Sequence, residues 1–504
     1  MNWKAILKIQ GLLLVILSVS MLFPIAFSIY YGSSDFIELF SGMAITLVSG
    51  IILSVSFNSN KPLKPREGFI IVATGWIIAS VFGALPFYFH EAFNGNFIDC
   101  VFETMSGLTT TGSSILVDIE ILPKGLLFWR SFTHWLGGMG IILLVVAILP
   151  ILGFNSTNLY KAEVSGPTKD RISPKIKDTA KILWYIYFGM TILLTALLMI
   201  GGMDLFNALC HTFGTLGTGG LSTLNKSVGG FNNLYFEVVI IIFMYLSGMN
   251  FFLHYSLIKG KFTDIFSNRE WRFYTILLIG STFLISLNIH YYNYSAEILN
   301  NNSILLLYKE SYGLCLRHSF FQTISLGTCT GYTTTNFDLW PSFSKILLIS
   351  LMFIGGSAGS TSGGIKQIRI IILIKFVIVE IKRLIYPKAY FSVKVGNQVY
   401  QDPVLKNVIA YFIVFLLAFA SVTLILTFRG YDIVTSFSAS IATLSGVGPG
   451  LARVGAIGSF AFFDNFSKLV LIFNMLIGRL EIYSVLILFY TLFYPERLFV
   501  KMKR

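Results

Sequence analysis

A short motif that ends in glycine recurs four times along this 504-residue chain and constrains its fold more than any other feature. The copies end at Gly112, Gly220, Gly331 and Gly448, with separations of 108, 111 and 117 residues. A near-constant period of this size indicates an internally repeated architecture. Four equivalent copies are what an arrangement with fourfold pseudosymmetry about one axis needs.

The composition indicates an all-α polytopic membrane protein. Apolar residues make up 55% of the chain and charged residues 12%, against about 25% charged residues in a soluble protein. Many apolar runs reach the roughly 20 residues that cross a hydrocarbon core of ~30 Å. In a hairpin topology, all but ten of the 37 Lys and Arg fall near one membrane side, which is the positive-inside bias. The net charge of +13 therefore does not point to a nucleic-acid partner.

The repeat predicts an N-terminal helix pair, with helices over 5–30 and 36–57, followed by four similar units. Each unit has a first spanning helix, a short helix that enters a glycine-ended loop, and a second spanning helix. We expect about ten crossings, with both termini on the positively charged, cytoplasmic side. The predicted divisions are 1–60 for the pair and 61–160, 161–262, 263–395 and 396–504 for the units. The first helices are predicted at 68–90, 182–201, 273–293 and 404–428. The short helices are predicted at 97–110, 204–216, 311–326 and 431–443. The second helices are predicted at 126–150, 234–258, 343–382 and 466–494.

The four loops consist of small residues and contain no carboxylate. They are Thr109, Thr110, Thr111 and Gly112; Gly217, Thr218, Gly219 and Gly220; Thr328, Cys329, Thr330 and Gly331; and Ser445, Gly446, Val447 and Gly448. Non-helical backbone at membrane depth survives only where it is buried in protein or lines water. The third copy, continued by Tyr332, reads like the Thr-Val-Gly-Tyr-Gly potassium filter, in which carbonyls replace an ion's water shell. The alternative is four external loops with turn-forming glycines.

Acids flank the loops and have two interpretations. They either enrich cations at the pore mouth or are solvated loop charges. They are Asp99, Glu103, Asp118, Glu120, Asp338 and Asp464.

The second helix of the third unit contains a glycine-rich segment that predicts a break. The segment is Gly355, Gly356, Ser357, Ala358, Gly359, Ser360, Thr361, Ser362, Gly363 and Gly364. Such a composition is unfavourable in a helix, and the 40 residues of this span would extend about 60 Å if helical. We expect a broken helix that forms a constriction beneath the loops and is the only glycine-dense break inside a span. It is not a phosphate loop, because Ile365 follows Gly364.

Arg479 lies about thirteen residues into the predicted last helix, near the membrane centre. A charge at that depth is costly and by default functional, so we expect it to face the pore rather than form a structural ion pair. Glu481 points to a different helix face. The four cysteines are expected to be free thiols. The polar segment Gly153–Lys181 is either a solvated linker or a docking surface for another protein.

With these motifs in place, the chain resembles the superfamily of potassium transporters built from four helix–pore-loop–helix units. It specifically resembles the pore-forming subunit of bacterial Trk-type uptake systems, with the N-terminal pair resembling the Trk rather than the Ktr branch. The matching motifs are the four loops, Arg130–Ile141, Leu159–Glu163 followed by Gly166 and Pro167, Pro174–Ile176, Thr179–Trp184, Gly355–Lys366 and Gly478–Glu481.

The resemblance implies potassium uptake across the bacterial inner membrane by a homodimer with one pore in each subunit. It also implies a cytosolic nucleotide-binding ring as regulatory partner, a gate made by Gly355–Gly364 with Arg479, and no organic cofactor. Cys329, Ser445 and the loose match of Gly217–Gly220 depart from the family pattern, so ion preference is less well defined than fold.

Three alternatives remain open. A sodium-permeable member of the superfamily is the nearest, although some such members replace the first loop glycine by Ser and Gly112 is intact here. A secondary carrier of another fold would not end each repeat in a filter loop. An intramembrane serine protease with Ser357, Ser360 or Ser362 as nucleophile is the enzyme alternative, but no histidine lies close in sequence. We expect the protein not to be an enzyme.

Overall fold

The structure is a computed structural model that describes residues 1–57, 63–140, 176–299, 311–396, 398–482 and 485–488. Several sequence-based predictions lie outside these ranges. They are residues 153–175 of the polar segment Gly153–Lys181, the Leu159–Glu163 motif, and the far ends of the second helices at 141–150 and 489–494.

The regular secondary structure of the described chain is helical, apart from one antiparallel hairpin of two short strands. The N-terminal part contains α1 (Trp3–Ser20), α2 (Leu22–Tyr31) and α3 (Phe36–Ser56). The first unit contains α4 (Pro65–Gly83), α5 (Leu85–Tyr88), α6 (Phe97–Leu108) and α7 (Lys124–Gly138). The second contains α8 (Ile176–Ile200), α9 (Leu205–Leu216), α10 (Leu234–Ser247) and α11 (Phe251–Ile258), and α12 (Phe262–Ser267) lies across the predicted boundary to the third. The third contains α13 (Arg269–Leu299), α14 (Tyr312–Gly327), α15 (Ser342–Ile354), α16 (Gln367–Ile385) and β1 (Val393–Val395). The fourth contains β2 (Gln398–Tyr400), α17 (Asp402–Phe428), α18 (Ile433–Ser445) and α19 (Asn465–Arg479).

Six helical stretches of the described chain are long and apolar enough to cross a membrane, and the bent pair α10–α11 is a seventh candidate. The six are the N-terminal pair and the first helix of each unit. They run over Trp3–Tyr31, Phe36–Ser56, Arg66–Tyr88, Asp178–Ile200, Arg269–Tyr292 and Asp402–Phe428. The all-α polytopic membrane class is confirmed. The N-terminal pair packs closely, since a Cβ on Gly11 would lie 2.8 Å from the carbonyl oxygen of Gly50.

The prediction of continuous second helices at 126–150, 234–258 and 466–494 is wrong. Helix α7 ends at Gly138, α10 and α11 meet at an angle of 102°, and α19 ends at Arg479. The glycine-rich segment is therefore not the only break in a second helix. It does interrupt the predicted helix over 343–382, because α15 ends at Ile354 and α16 begins at Gln367.

Glycines at these breaks lie directly against the loop of the next unit. A Cβ on Gly138 would lie 2.7 Å from the Cα of Gly217, and one on Gly248 would lie 2.9 Å from the Cγ2 of Thr328. A Cβ on Gly363 would overlap the carbonyl oxygen of Ser445. Each broken helix therefore lets the backbone of one unit support the first residue of the next loop.

The four short helices share a start signal. Each begins after a side chain whose oxygen accepts a hydrogen bond from a backbone amide two or three residues later, which satisfies a free donor of the first turn. These N-caps are Asn96, Asp204, Ser311 and Asp432. Each short helix then runs into one glycine-ended loop, and the four caps fix where these helices begin.

Candidate functional site

The four loops have the same backbone conformation. We name them loop 1 (Thr109–Gly112), loop 2 (Gly217–Gly220), loop 3 (Thr328–Gly331) and loop 4 (Ser445–Gly448). The second residue of each is left-handed, with φ of 56° for Thr110, 52° for Thr218, 56° for Cys329 and 65° for Gly446. The final glycine is left-handed again, with φ of 80°, 70°, 86° and 94° in chain order. Alternation of right- and left-handed residues turns neighbouring peptide groups the same way.

The amide of each third loop residue is held by its own short helix. It donates to the carbonyl five residues earlier, from Thr111 to Ser106 at 2.8 Å and from Val447 to Ala442 at 2.9 Å. The same bond runs from Gly219 to Gly214 at 2.9 Å and from Thr330 to Ser325 at 2.8 Å. Because these amides are occupied, the loops present their carbonyls to one another.

The final glycines close the four loops into a ring. A Cβ on Gly112 would overlap the carbonyl oxygen of Gly219 in loop 2. In the same way, a Cβ on Gly220 would overlap the carbonyl oxygen of Thr330 in loop 3, and a Cβ on Gly331 would overlap that of Val447 in loop 4. The ring closes where a Cβ on Gly448 would lie 2.9 Å from the carbonyl oxygen of Thr111. All four final glycines line one cavity of about 100 Å³.

A second cavity, of about 110 Å³, lies where the loops begin, and we name it the lower cavity. Loop 1 lines it with Thr109, Thr110 and Thr111, and loop 4 with Ser445 and Gly446. Gly359–Gly364 and Arg479 also line it. The earlier part of the glycine-rich segment does not. There the Ser357 amide donates to the Gly248 carbonyl at 2.9 Å, and the Ala358 amide to Glu270 at 2.7 Å.

Threonine hydroxyls stiffen two opposite loops. Thr109 and Thr111 share a hydrogen bond of 2.8 Å, and Thr328 and Thr330 share one of 2.7 Å. Loop 2 has glycines at both of these positions. The four loops are therefore alike in backbone, whereas only loops 1 and 3 are alike in side chains.

Arg479 is the last residue of α19 rather than a residue in mid-helix, which corrects the prediction of its position. Its guanidinium donates to the carbonyl of Thr361 at 3.0 Å and to the hydroxyl of Thr110 at 3.3 Å. It also donates to the carbonyl of Gly138 at 3.1 Å. One cation therefore joins loop 1, the end of α7 and the glycine-rich segment at the wall of the lower cavity.

Glu481 lies in the turn after α19 and receives a hydrogen bond of 2.6 Å from Arg369 on α16. The Arg369 guanidinium stacks on the ring of Tyr411, 3.9 Å from its centroid. This ion pair ties the helix that follows the glycine-rich segment to the fourth unit.

Three of the six flanking acids are held in ion pairs. Glu103 is buried and lies 2.6 Å from Arg130, Asp99 lies 2.6 Å from Lys468, and Asp464 lies 2.9 Å from Arg429. Asp118 and Glu120 are exposed and hydrogen-bond to Asn225. Asp338 accepts from the Ala452 amide at 3.0 Å.

The glycine-rich segment has no catalytic geometry among the described residues. The Ser360 hydroxyl donates to the Ser357 carbonyl at 2.6 Å, and the Ser362 hydroxyl accepts from the Gly356 amide at 3.0 Å. No histidine of the described chain hydrogen-bonds to Ser357, Ser360 or Ser362. The serine protease alternative therefore has no structural support.

Sequence reasoning named Glu103 among the flanking acids and included Arg130 and His134 in the Arg130–Ile141 motif, but it gave none of them a role in supporting the loops. Arg130 carried a signal for such a role, since a charge inside an apolar helix is rarely incidental. Glu270, which hydrogen-bonds the glycine-rich segment, was missed altogether, because its partners are distant in sequence. All four cysteines are buried and none of them forms a disulfide, as expected.

The fold and the ring define the class, an all-α polytopic membrane protein with four loop-bearing units around one axis. The family model of the TrkH cation transport proteins matches residues 37–500. The chain belongs to this family, and the resemblance to Trk-type transporters is confirmed.

Similar proteins match nearly the whole chain. It is 38% identical over 500 residues to the Trk system potassium uptake protein TrkH of Escherichia coli K12, covering 98% of this chain and 100% of that protein. Identity to the Trk system potassium uptake protein TrkG of the same organism is 34%, covering 97% of this chain and 98% of that protein. The crystal structure of the potassium transporter TrkH from Vibrio parahaemolyticus aligns with a TM-score of 0.84 at 35% identity, covering 98% of this chain and 100% of that chain.

Proposed function

We propose that this protein takes up potassium across the bacterial inner membrane through one pore in each subunit. The observation that carries the proposal is the closed ring in which each final loop glycine abuts a backbone carbonyl of the adjacent loop. Rings of backbone carbonyls replace the hydration shell of a monovalent cation. The similar proteins named as potassium uptake proteins support the same ion.

The charge arrangement around the ring also favours a cation. Four short helices end at the loops, and each helix C-terminus carries roughly half a negative elementary charge from its aligned peptides. The loops contain no carboxylate, whereas divalent selectivity usually uses rings of acids. The ion is the cargo of the pore, held by the backbone of loops 1 to 4, and we propose no organic cofactor.

We further propose that Gly355–Gly364 and Arg479 form the gate. The second half of the segment and Arg479 line the lower cavity, and the Arg479–Thr361 hydrogen bond of 3.0 Å joins them. Left-handed glycines at 355, 359 and 364 allow the segment its path without side-chain strain. A positive charge beside the path opposes a passing cation, and removal of the segment from the cavity would relieve that barrier.

The proposal includes an assembly and an orientation. We propose a homodimer regulated by a cytosolic nucleotide-binding ring, with both termini in the cytoplasm. We also propose the division into a pair over 1–60 and units over 61–160, 161–262, 263–395 and 396–504. The four capped short helices, one in each proposed unit, support this division.

Uptake of labelled rubidium into vesicles that contain the purified protein tests the proposal. We expect accumulation that excess external potassium blocks far more strongly than excess sodium does. Equal block by the two ions would favour the sodium-permeable alternative. Uptake with and without imposed proton or sodium gradients separates passive from coupled transport.

A further inference from the structure

Loop 2 is the loop with the fewest side chains of its own. Its first and third positions are Gly217 and Gly219, whereas loop 1 has threonines there and so has loop 3. Glycine has more conformational freedom than any other residue. A ring that distinguishes ions therefore needs something outside loop 2 to hold its backbone in place.

The imidazole of His134 fills the space that a side chain at position 219 would occupy. His134 lies on α7 of the first unit and is 0% exposed. A Cβ on Gly219 would lie 2.5 Å from its Nδ1 and 2.6 Å from its Cδ2 and Cε1. A Cβ on Gly217 would lie 2.5 Å from the carbonyl oxygen of His134. Residue 134 thus covers both glycine positions of loop 2.

The contact is one of volume rather than of hydrogen bonding. Both ring nitrogens of His134 are buried and have no hydrogen-bond partner within the described part of the chain. His211, another buried histidine beside this loop, differs because its nitrogens lie 2.8 Å from the Asn207 carbonyl and 3.0 Å from the Ser222 hydroxyl. His134 therefore contributes a rigid, close-packed ring.

We propose that His134 is a specificity-determining positioning residue, whose ring replaces the side chains that loop 2 lacks and holds that loop at the spacing that favours potassium. This inference rests on the proposed function, because it concerns selectivity of the same ring. It assigns part of the second loop's selectivity to a side chain of the first unit.

A double-mutant cycle between His134 and Gly219 tests the proposal in the full-length protein in vesicles. Gly219 lies outside the left-handed region, so its backbone accepts the threonine that loops 1 and 3 carry. Selectivity is measured as the sodium concentration that halves rubidium uptake divided by the potassium concentration that does so. We expect His134→Ala and Gly219→Thr each to reduce selectivity roughly three- to tenfold, which lies within the range of coupling between contacting residues. The double variant should recover most of the loss, since the introduced threonine side chain would enter the space that the imidazole vacates.

Two further variants separate this role from general disruption. His134→Leu keeps a similar volume without nitrogens and should stay within about twofold of the original selectivity. His254→Ala removes another buried imidazole, one that bonds only the Leu246 carbonyl in the described chain, and should leave selectivity unchanged. Size-exclusion elution of each variant checks that it is folded.

Selectivity that survives His134→Ala, or losses that simply multiply in the double variant, would overturn the inference. A His134→Leu variant as impaired as His134→Ala would overturn the role of volume. Failure of the proposed function is distinguishable, because the unmodified protein would then show no preferential block by potassium.

Discussion

The guanidinium of Arg479 donates a hydrogen bond of 3.0 Å to the backbone carbonyl of Thr361. The two residues are on different units, one at the end of α19 and the other in the glycine-rich segment. The same guanidinium also reaches Thr110 of loop 1. A displacement of the segment would therefore break its contact with Arg479, which itself contacts loop 1, so this arginine is the point where the proposed gate and the ring meet.

The first prediction is that Arg479→Ala raises resting flux. A hydrogen bond to a charged group contributes roughly 1.5–3 kcal/mol, and 1.4 kcal/mol is about a tenfold change in an equilibrium. Rubidium uptake without the proposed regulatory partner should rise at least about tenfold. Selectivity should stay, because the contacts of the four final glycines with the neighbouring loops do not involve Arg479. Arg453→Ala is the control, since that arginine stacks on Phe462 and does not line the lower cavity. Low resting flux with full regulation would place the gate elsewhere.

The second prediction concerns Glu270, whose carboxylate accepts a hydrogen bond from the glycine-rich segment. Its carboxylate accepts from the amide of Ala358 at 2.7 Å and from that of Ile368, in the first turn of α16, at 3.3 Å. Glu270→Ala would leave buried amides unsatisfied, at a cost of about 1–3 kcal/mol. Hydrogen exchange over 355–368 should accelerate and resting flux should rise.

Glu380→Ala on α16 provides the control for Glu270, because Glu380 pairs with Arg383 at a half-exposed surface. It should change neither exchange nor flux. Unaltered exchange over 355–368 in Glu270→Ala would show that this carboxylate does not hold the segment.

The four loops could be predicted from the sequence more readily than the breaks in the second helices. Loops 1 to 4 could be found because each copy needs a left-handed final glycine, and that requirement repeats along the chain. The ends of α7, α10 and α19 were missed because the apolar run continues through Gly138, Gly248 and Gly478. The breaks are seen only in the packing, which places Gly138 and Gly248 against the next loop and Gly478 against Leu444 of its own unit. His134 gave no signal for the same reason, since its contact with Gly219 spans 85 residues of chain.

The third prediction is that Gly112→Ser lowers potassium selectivity by displacing loop 2. The added Cβ would overlap the carbonyl oxygen of Gly219, and residue 112 has a φ of 80°. Sodium should then compete more strongly for rubidium uptake. Gly95→Ser is a matched control, because Gly95 has a φ of 65° but no atom within 4 Å of an added Cβ. It reproduces the backbone strain without the collision, so equal selectivity in both variants would refute the mechanism.

The fourth prediction is that the buried pair Glu103–Arg130 stabilises two loops together. Glu103 lies 2.6 Å from Arg130 and accepts from the Ile115 amide at 2.9 Å, just beyond loop 1. Arg130 donates to the carbonyl of Ser222 at 2.9 Å, just beyond loop 2.

Removal of one partner from this pair leaves an uncompensated buried charge, which costs about 3–5 kcal/mol. Glu103→Ala should therefore lower thermal stability in detergent by several degrees, whereas Glu380→Ala, from a half-exposed pair, should cost under about 1 kcal/mol. The double variant Glu103→Leu, Arg130→Met should recover much of the stability, because apolar residues of similar volume replace buried ion pairs with little loss. If the double variant is less stable than Glu103→Ala, the pair contributes more than charge compensation, and its hydrogen bonds to the Ile115 amide and the Ser222 carbonyl are what hold the two loops.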